Sequence, residues 1–518
     1  MNILVLAAEV GPFVSVGGLS QVMYFLPKAL RQLGHDVRMF TPKFGAMDKT
    51  SPTKKGWRLA MQTEGLHVPL DHANASTTSL VCNVKTLSKT KHNVTTYFLE
   101  NREYYELRAN VFGYKDDHTR FLLLCKGCLE WLIARREKIK KSKHDVWWPD
   151  VIHCNDWHAS YFIELARSVP RYKEILDKVP IVLTVHNFKY QGNYDFQYCE
   201  PKDRDSGSKP LEPLLSEKLI KQNVLLRGLV YADAITTVSP THAREIQTTE
   251  YAEGLGKTLL QVKGKMSGIL NGLDTEEFNP KTDPLLFRQF SPKHFETARR
   301  LNKKYVQQEF SLPVNPDAFV VAYSGRLVQQ KGVGLLLEAL PHLLKEYADM
   351  QFVVLGGGDD TYRFILQQLR TKFPKQIGLH LLPNFQLPHV IFSGADALLM
   401  PSLFEPGGIV ALEGLRYGSV PIVRRTGGLS DIVTDFDPET HEGNGFSFTA
   451  KNAWGLYGSV VKAVTTYRNK KLWKKLVENC LECDFSWTHA AKEYERWYRK
   501  AIALRKRYVA KKPSVQYM

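Results

Sequence analysis

Two carboxylates in the last third of the chain are spaced to grip a sugar. Glu405 sits in the loop LFEPGGI, just after the apolar run ADALLM. Glu413 follows roughly two helical turns on, in the helical pattern IVALEGLRYG. An ionised carboxylate is a pure acceptor, so this pair can hold the hydroxyls of a hydroxyl-rich ring; a loop cap plus a solvated helix face is the alternative. Gly407 and Gly408 between them open the backbone to a ligand. Upstream, SGRLVQQKG places Arg326 and Lys331 just beyond the strand-like run VVAYS. Two cations at the carboxyl end of a strand can neutralise a departing diphosphate, where surface ion pairs would be the plainer role. In the first half, HCNDWH (residues 153–158) and TVHNFKYQG (184–192) each end an apolar run with polar residues: Asp156, His158, His186 and Asn187. A strand-end histidine can bond a sugar or a developing charge, or be a satisfied core imidazole. SVGGLSQV supplies Ser15, Gly17 and Gly18 at the start of a helical pattern, whose free amides suit a phosphate. That glycine pair lacks both the third glycine of a dinucleotide fingerprint and the Lys-Ser/Thr of a P-loop.

These residues need strands to carry them. The first half alternates strand-like runs (3–8, DVRMFTP, DVIHCN, IVLTVHN, AITTVS, SGILNG) with helical patterns at 21–33 and 118–141. A β-rich section at about 57–100 interrupts them. Residues 274–316 are charged and proline-containing and read as a linker region. A second strand–helix alternation begins at FVVAYSG. The pattern predicts an α/β chain of two doubly wound, Rossmann-like domains facing across a cleft, with the glycine loops of both turned to it. The expected boundaries are 1–280 for the first domain and 281–483 for the second, with a C-terminal helix at 484–518 packing back on the first.

The chain has 518 residues, 43 % hydrophobic and 24 % charged, ample for large cores. No apolar run reaches the roughly 18 residues of a membrane span, and MNILVLAAEV reads as a buried strand and not a signal peptide. The net charge of +17 is partly local, in ARREKIKKSK and LRKRYVAKK. Without an accompanying nucleic-acid motif these patches read as solvated faces, with weak contact to an anionic surface left open and nucleic acid not expected as a partner. Two Cys-x-x-Cys pairs, Cys125/Cys128 and Cys480/Cys483, lie in helical patterns without a knuckle turn, so buried thiols are expected over a zinc site, and a reducing cytoplasm as the compartment.

Taken together the motifs resemble the bacterial glycogen synthase and plant starch synthase family, retaining glycosyltransferases of GT-B fold. The resemblance runs through AAEVGPFVSVGGLSQV, FGYKDDHTRFLLLCKG, DWHA, TVHNFKYQG, YADAITTVSPTHAREI, ILNGLD, SGRLVQQKG and the stretch from Met400 to VRRTGGL. It implies transfer of glucose from a nucleotide-glucose donor, ADP-glucose favoured, to the non-reducing end of an α-1,4-glucan with retention, without metal or cofactor. It implies that Arg326 and Lys331 contact the diphosphate and that Glu405 matches the essential acid near the donor glucose. His158 matches the histidine beside the reacting sugar, Gly17 and Gly18 the loop near the phosphates, and Asn223 an asparagine near the sugar.

Two departures bear on the donor. Ser15 stands where the family usually has lysine, and Glu405-Pro406-Gly407-Gly408 replaces Glu-Pro-Cys-Gly. With Glu413 completing a Glu-x7-Glu pair, the loop is similar to the wider sucrose-synthase-like group, in which the second glutamate commonly binds the ribose. UDP-glucose or another nucleotide sugar, with a different acceptor, is the alternative.

Overall fold

The computed structural model describes residues 1–50 (48–50 by backbone), 57–72, 78–87, 94–141, 146–192, 200, 202, 204–384 and 386–510. The chain divides into two compact units. The first comprises Met1–Val238, Ala243–Ile269 and Trp487–Met518; the second comprises Ser239–His242 and Leu270–Ser486.

The first unit is built on nine strands: β1 (Asn2–Leu6), β2 (Asp36–Pro42), β3 (Ala60–Pro69), β4 (Ser79–Leu87), β5 (Thr95–Glu100), β6 (Val151–Asn155), β7 (Ile181–Val185), β8 (Ala234–Thr237) and β9 (Met266–Gly268). Their order is β3-β4-β5-β2-β1-β6-β7-β8-β9. The pairs from β5 through β2 and β1 to β9 are parallel, and only β3 and β4 run antiparallel to their neighbours. The β-rich section is therefore an antiparallel extension of one edge. Central strands are covered on both faces, which is why β1, β6, β7 and β8 read as continuous apolar runs without alternation. The helix expected at 21–33 spans Gly18–Gln32, and that expected at 118–141 spans Asp117–Lys141.

Inside this sheet runs a buried polar chain. The His153 imidazole bonds the Thr184 hydroxyl at 2.6 Å, and Thr184 meets the Thr236 hydroxyl at 2.6 Å. The other ring nitrogen of His153 meets the hydroxyl of Tyr498, 2.8 Å away on the C-terminal helix Trp487–Ala510. Lower on the same helix, Arg505 pairs with Asp177 and Asp233 at 3.0 and 3.1 Å. These bonds seat the helix on the first unit.

The second unit has six parallel strands: β10 (Phe319–Ser324), β11 (Met350–Leu355), β12 (Ile377–His380), β13 (Ala397–Met400), β14 (Val420–Arg424) and β15 (Phe446–Phe448). They are ordered β12-β11-β10-β13-β14-β15. The order reverses between β10 and β13, whose carboxyl ends flank the switch point where open α/β sheets bind ligands.

The expected linker at 274–316 is instead folded into the second unit. Its helix Glu296–Glu309 sends Arg299, 8 % exposed, onto the carbonyls of Phe392, Ser393, Ala395 and Tyr417. Lys303 pairs with Asp396 at 2.7 Å, and Asp283 accepts from Tyr417 and from the His389 ring. Charge misleads here because these cations cap carbonyls inside the domain. The same packing carries residues 270–280 into the second unit: Arg416 donates to the Phe278 carbonyl, and Leu273 bridges to Ser486. The units thus part at Ile269/Leu270 and Ser486/Trp487, earlier and later respectively than the expected boundaries.

Replacing Tyr498 with phenylalanine keeps the ring and strands the fully buried Nδ1 of His153. We expect a loss of about 1–3 kcal/mol, the usual cost of an unsatisfied buried polar group, read as a lower urea midpoint for the first unit.

Candidate active site

In the second unit the site is a loop held from several sides. Residues 402–408 follow β13. Gln330 accepts from the Leu403 amide at 2.9 Å and donates to the Phe404 carbonyl at 3.2 Å. Arg424, 2 % exposed at the end of β14, donates to the carbonyls of Ser402 and Leu403 at 2.8 and 2.6 Å. Two glycines allow the backbones to close up. Gly332 has φ 69° and Gly427 φ 46°; a Cβ on the first would lie 1.9 Å from the Pro401 carbonyl, and on the second 2.1 Å from that of Glu405.

This scaffold aims the Glu405 carboxylate at Lys331. The Lys331 ammonium donates to Glu405 Oε2 at 2.5 Å, and the Ser402 hydroxyl donates to the same oxygen at 3.0 Å. Lys331 reaches it from a short 3-10 turn, Gln329–Lys331, directly before the helix Val333–Glu346. Arg326 lies at the end of β10 with its side chain exposed and no hydrogen bond or ion pair among the described residues, while its carbonyl accepts from Tyr323 at 2.8 Å. Burial, then the Glu405 charge, pushes the Tyr323 hydroxyl well up, so it stays a neutral donor. Gly408 precedes the helix Ile409–Arg416, and Glu413, 8 % exposed, is buried on that helix. The structure therefore joins Lys331, Glu405, Ser402 and the glycine loop, with a free guanidinium at Arg326.

The first unit carries a second cluster at the carboxyl ends of β1, β6 and β7. Asp156 has a left-handed φ of 57° and begins the helix Asp156–Ser168. Its Oδ1 accepts from the His186 amide at 2.7 Å. Burial pushes this carboxyl up to about 7, against the pull of the His186 and Asn187 amides. The His186 ring meets Asn155 Oδ1 at 3.0 Å. His158 is packed among Phe112, Phe121 and Trp157, with ring centroids 4.9, 4.6 and 4.2 Å away, and its Nδ1 has no partner among the described residues. Burial depresses both imidazoles to about 3, helped at His158 by the Arg120 cation. Both are neutral at physiological pH and can donate or accept, but carry no charge.

Other residues singled out by sequence have structural tasks in view. Asn187 Oδ1 accepts from the Lys189 amide at 3.0 Å, closing a turn. Asn223 is fully buried: its oxygen caps the helix Val224–Tyr231 at the Leu226 amide, and its nitrogen donates to Gln191. Ser15, Gly17 and Gly18 are exposed, and the Ser15 and Ser20 hydroxyls are 2.7 Å apart. Cys125 and Cys480 are buried thiols donating to the carbonyls of His158 and Asn444, both at 3.2 Å, and Cys483 donates to that of Asn479. No cluster of metal-ligating side chains occurs among the described residues.

Sequence reading missed Glu9, Gln330, Ser402 and Arg424. Two of them leave a signal: a lone acid closing the buried run NILVLAAE, and a cation ending VPIVR.

The profile described as starch synthase catalytic domain matches residues 2–261, and that of glycosyl transferases group 1 matches 306–479. A glycogen synthase of Clostridium novyi is 37 % identical over 97 % of this chain and 99 % of its own; one of Desulforudis audaxviator is 35 % identical over 97 % of each. The chain belongs to the glycogen and starch synthase family. It is thus a glycosyltransferase. A solved structure of the catalytic domain of starch synthase IV from Arabidopsis thaliana, bound to ADP and acarbose, superposes with a TM-score of 0.80 at 29 % identity, covering 97 % of this chain and 99 % of that one. With its two parallel-sheet α/β units, this family member has the GT-B fold. No helix among the described residues is long and apolar enough to cross a membrane.

Asp156 yields a pH test. Its folded value lies above the ordinary 3.8, so the fold favours the protonated form. That contribution is complete below about pH 4 and is lost as the pH rises through about 7. Asp156→Asn keeps an acceptor for the His186 amide without the charge. Its stability relative to wild type should rise by roughly 2 kcal/mol between pH 4 and 8, a figure discounted for a carboxyl only partly withdrawn from solvent. Paired thermal melts across that range measure it, and a difference flat with pH contradicts the assignment.

Proposed function

We propose that this family member transfers glucose from ADP-glucose to the non-reducing 4-hydroxyl of an α-1,4-glucan with retention, in the cytoplasm. The observation that carries the reading is the Lys331–Glu405 pair beside the free Arg326, at the carboxyl ends of β10 and β13. Departure of a nucleoside diphosphate builds negative charge on its outer phosphate. Preorganised cations at that point are worth far more than cations that must be gathered from water. On this reading Lys331 exchanges part of its bond to Glu405 for the leaving phosphate, and Arg326 takes a second oxygen. Glu405, still held by Ser402, accepts from sugar hydroxyls, and Glu413 from the ribose. In the first unit His158, neutral and with an Nδ1 that has no partner among the described residues, is assigned to the glucose. Positive charge at the leaving group comes from the two side chains, and the reading calls on no metal ion or cofactor. Retention follows if the acceptor hydroxyl enters on the face the diphosphate leaves.

ADP is favoured because the starch synthase IV structure, similar over nearly the whole chain, was solved with ADP. UDP-glucose is the second reading, favoured by Ser15 at the position where the family usually has lysine. The basic stretch in which Arg136, Lys138 and Lys140 lie is assigned no more than a weak contact with an anionic surface.

The test is transfer of labelled glucose to glycogen from ADP-glucose and, in parallel, from UDP-glucose. Transfer from ADP-glucose at the higher kcat/KM is expected, and none from either donor by folded protein sinks the proposal. In the same assay Lys331→Ala should lower kcat/KM for the donor by about 10²–10³-fold and leave glycogen affinity nearly unchanged, since the ammonium acts where charge develops. Equal losses in both would remove Lys331 from the diphosphate.

A further inference from the structure

The basic stretches ARREKIKKSK and LRKRYVAKK, far apart in sequence, meet at one cavity of the first unit. The cavity has a volume of about 1060 Å³. It lies at the amino ends of β6 and β7, where Asp150 and Pro180 line it. Asp156, His158 and His186 follow the carboxyl ends of the same two strands, at the other end of the sheet. Four cationic side chains line the cavity. Arg136 comes from the helix Asp117–Lys141 and Lys173 from the helix Pro170–Leu176. Lys178 comes from the turn before β7, and Lys506 from the helix Trp487–Ala510.

Charge is not balanced here. None of the four cations makes an ion pair among the described residues, and the three lysines are exposed. Three carboxylates share the lining, but two are engaged: Asp150 accepts from the Asn2 amide at 2.7 Å, and Asp177 pairs with Arg505 at 3.0 Å. Glu174 is the remaining counter-charge. Gathering like charges costs stability through their repulsion, and an anion between them relieves it. Arg136 is also held in place. Its guanidinium lies over the ring of Trp148, 5.2 Å from the centroid, and Trp148 lines the same cavity. A guanidinium stacked on an indole keeps its N–H edge for an acceptor. Lys138 and Lys140 of the same stretch do not line the cavity, and Lys140 pairs with Glu137 at 2.8 Å.

We propose that this cavity binds a small molecule carrying at least two phosphate charges, held by Arg136, Lys173, Lys178 and Lys506. Shape favours a solute over a lipid surface. A membrane is met by cations spread over a flat or convex face, whereas these four surround a hollow. Its volume is close to the upper end of the roughly 300–1,000 Å³ of small-ligand pockets. Phosphate is the fitting group, because its oxygens accept from a guanidinium in pairs and from ammoniums as point charges. The proposal is one of binding, and it does not depend on the donor or acceptor assigned above.

Inorganic pyrophosphate is the probe, titrated calorimetrically into protein carrying Lys331→Ala. That background removes a cation from the diphosphate site proposed in the second unit. Saturable binding is expected. Adding Lys173→Gln and Lys506→Gln should weaken it about tenfold or more, through the loss of two charge-assisted contacts. Both side chains are exposed, so the fold should stand. Adding Lys138→Gln and Lys140→Gln instead removes the same charge outside the cavity and should change the affinity by less than about twofold. Absence of binding, or equal losses in the two double variants, overturns the proposal. A second arm is cosedimentation with vesicles of phosphatidylcholine and phosphatidylserine. Vesicle binding that Lys173→Gln with Lys506→Gln abolishes, without pyrophosphate binding, assigns the cations to a membrane surface and overturns the small-molecule site.

Discussion

An ammonium resting on a carboxylate, Lys331 on Glu405, is the interaction the second unit is arranged to hold. An ion pair of long side chains at a surface is worth little, because both chains lose freedom and water screens the charges. This one is shaped by its surroundings. Its acid sits on a loop gripped by Gln330 and Arg424, with glycine backbones pressed against it, and its base sits on a one-turn 3-10 helix closed by a left-handed glycine. Both side chains remain 13–22 % exposed, so an incoming anion can compete for the lysine. The pair is therefore a poised arrangement: ammonium and carboxylate neutralise one another, and both stay within reach of solvent.

The first unit solves the opposite problem. Its cluster gathers His158, His186, Asp156 and Glu9, and burial disfavours charge on each: the imidazoles fall to about 3 and the carboxyls rise to about 7. Neutral donors and acceptors in a tightly packed aromatic setting suit the recognition of hydroxyls, where geometry discriminates and net charge would not. The second unit thus keeps an ion pair within reach of solvent, while the first buries groups on which charge is disfavoured.

What the sequence disclosed follows this division. Strands buried on both faces read as apolar runs, so β1, β6, β7, β10 and β13 could be placed to within a few residues, as could the polar residues at their ends. Glu405 and Lys331 were legible because glycines and a strand end surround each. The helix Glu296–Glu309 was not, because its buried cations bond carbonyls distant in sequence, and a run such as ETARRLNKKY looks solvated until those carbonyls are known. Glu9 was hidden for a related reason. Its partners are backbone amides, and a backbone partner leaves no residue type to notice. Asn223 was marked by motif position alone; in the structure its oxygen caps a helix and its nitrogen is bonded to Gln191.

Ser15 brings these strands together. By the resemblance a lysine is usual at this position, and a cation beside Glu9 would favour its ionised form. With serine, whose hydroxyl is engaged by Ser20, no cation is supplied there, and burial lifts Glu9 and Asp156 to about 7. On the proposed reading, charge at the leaving group falls to Arg326 and Lys331, since Ser15 brings none.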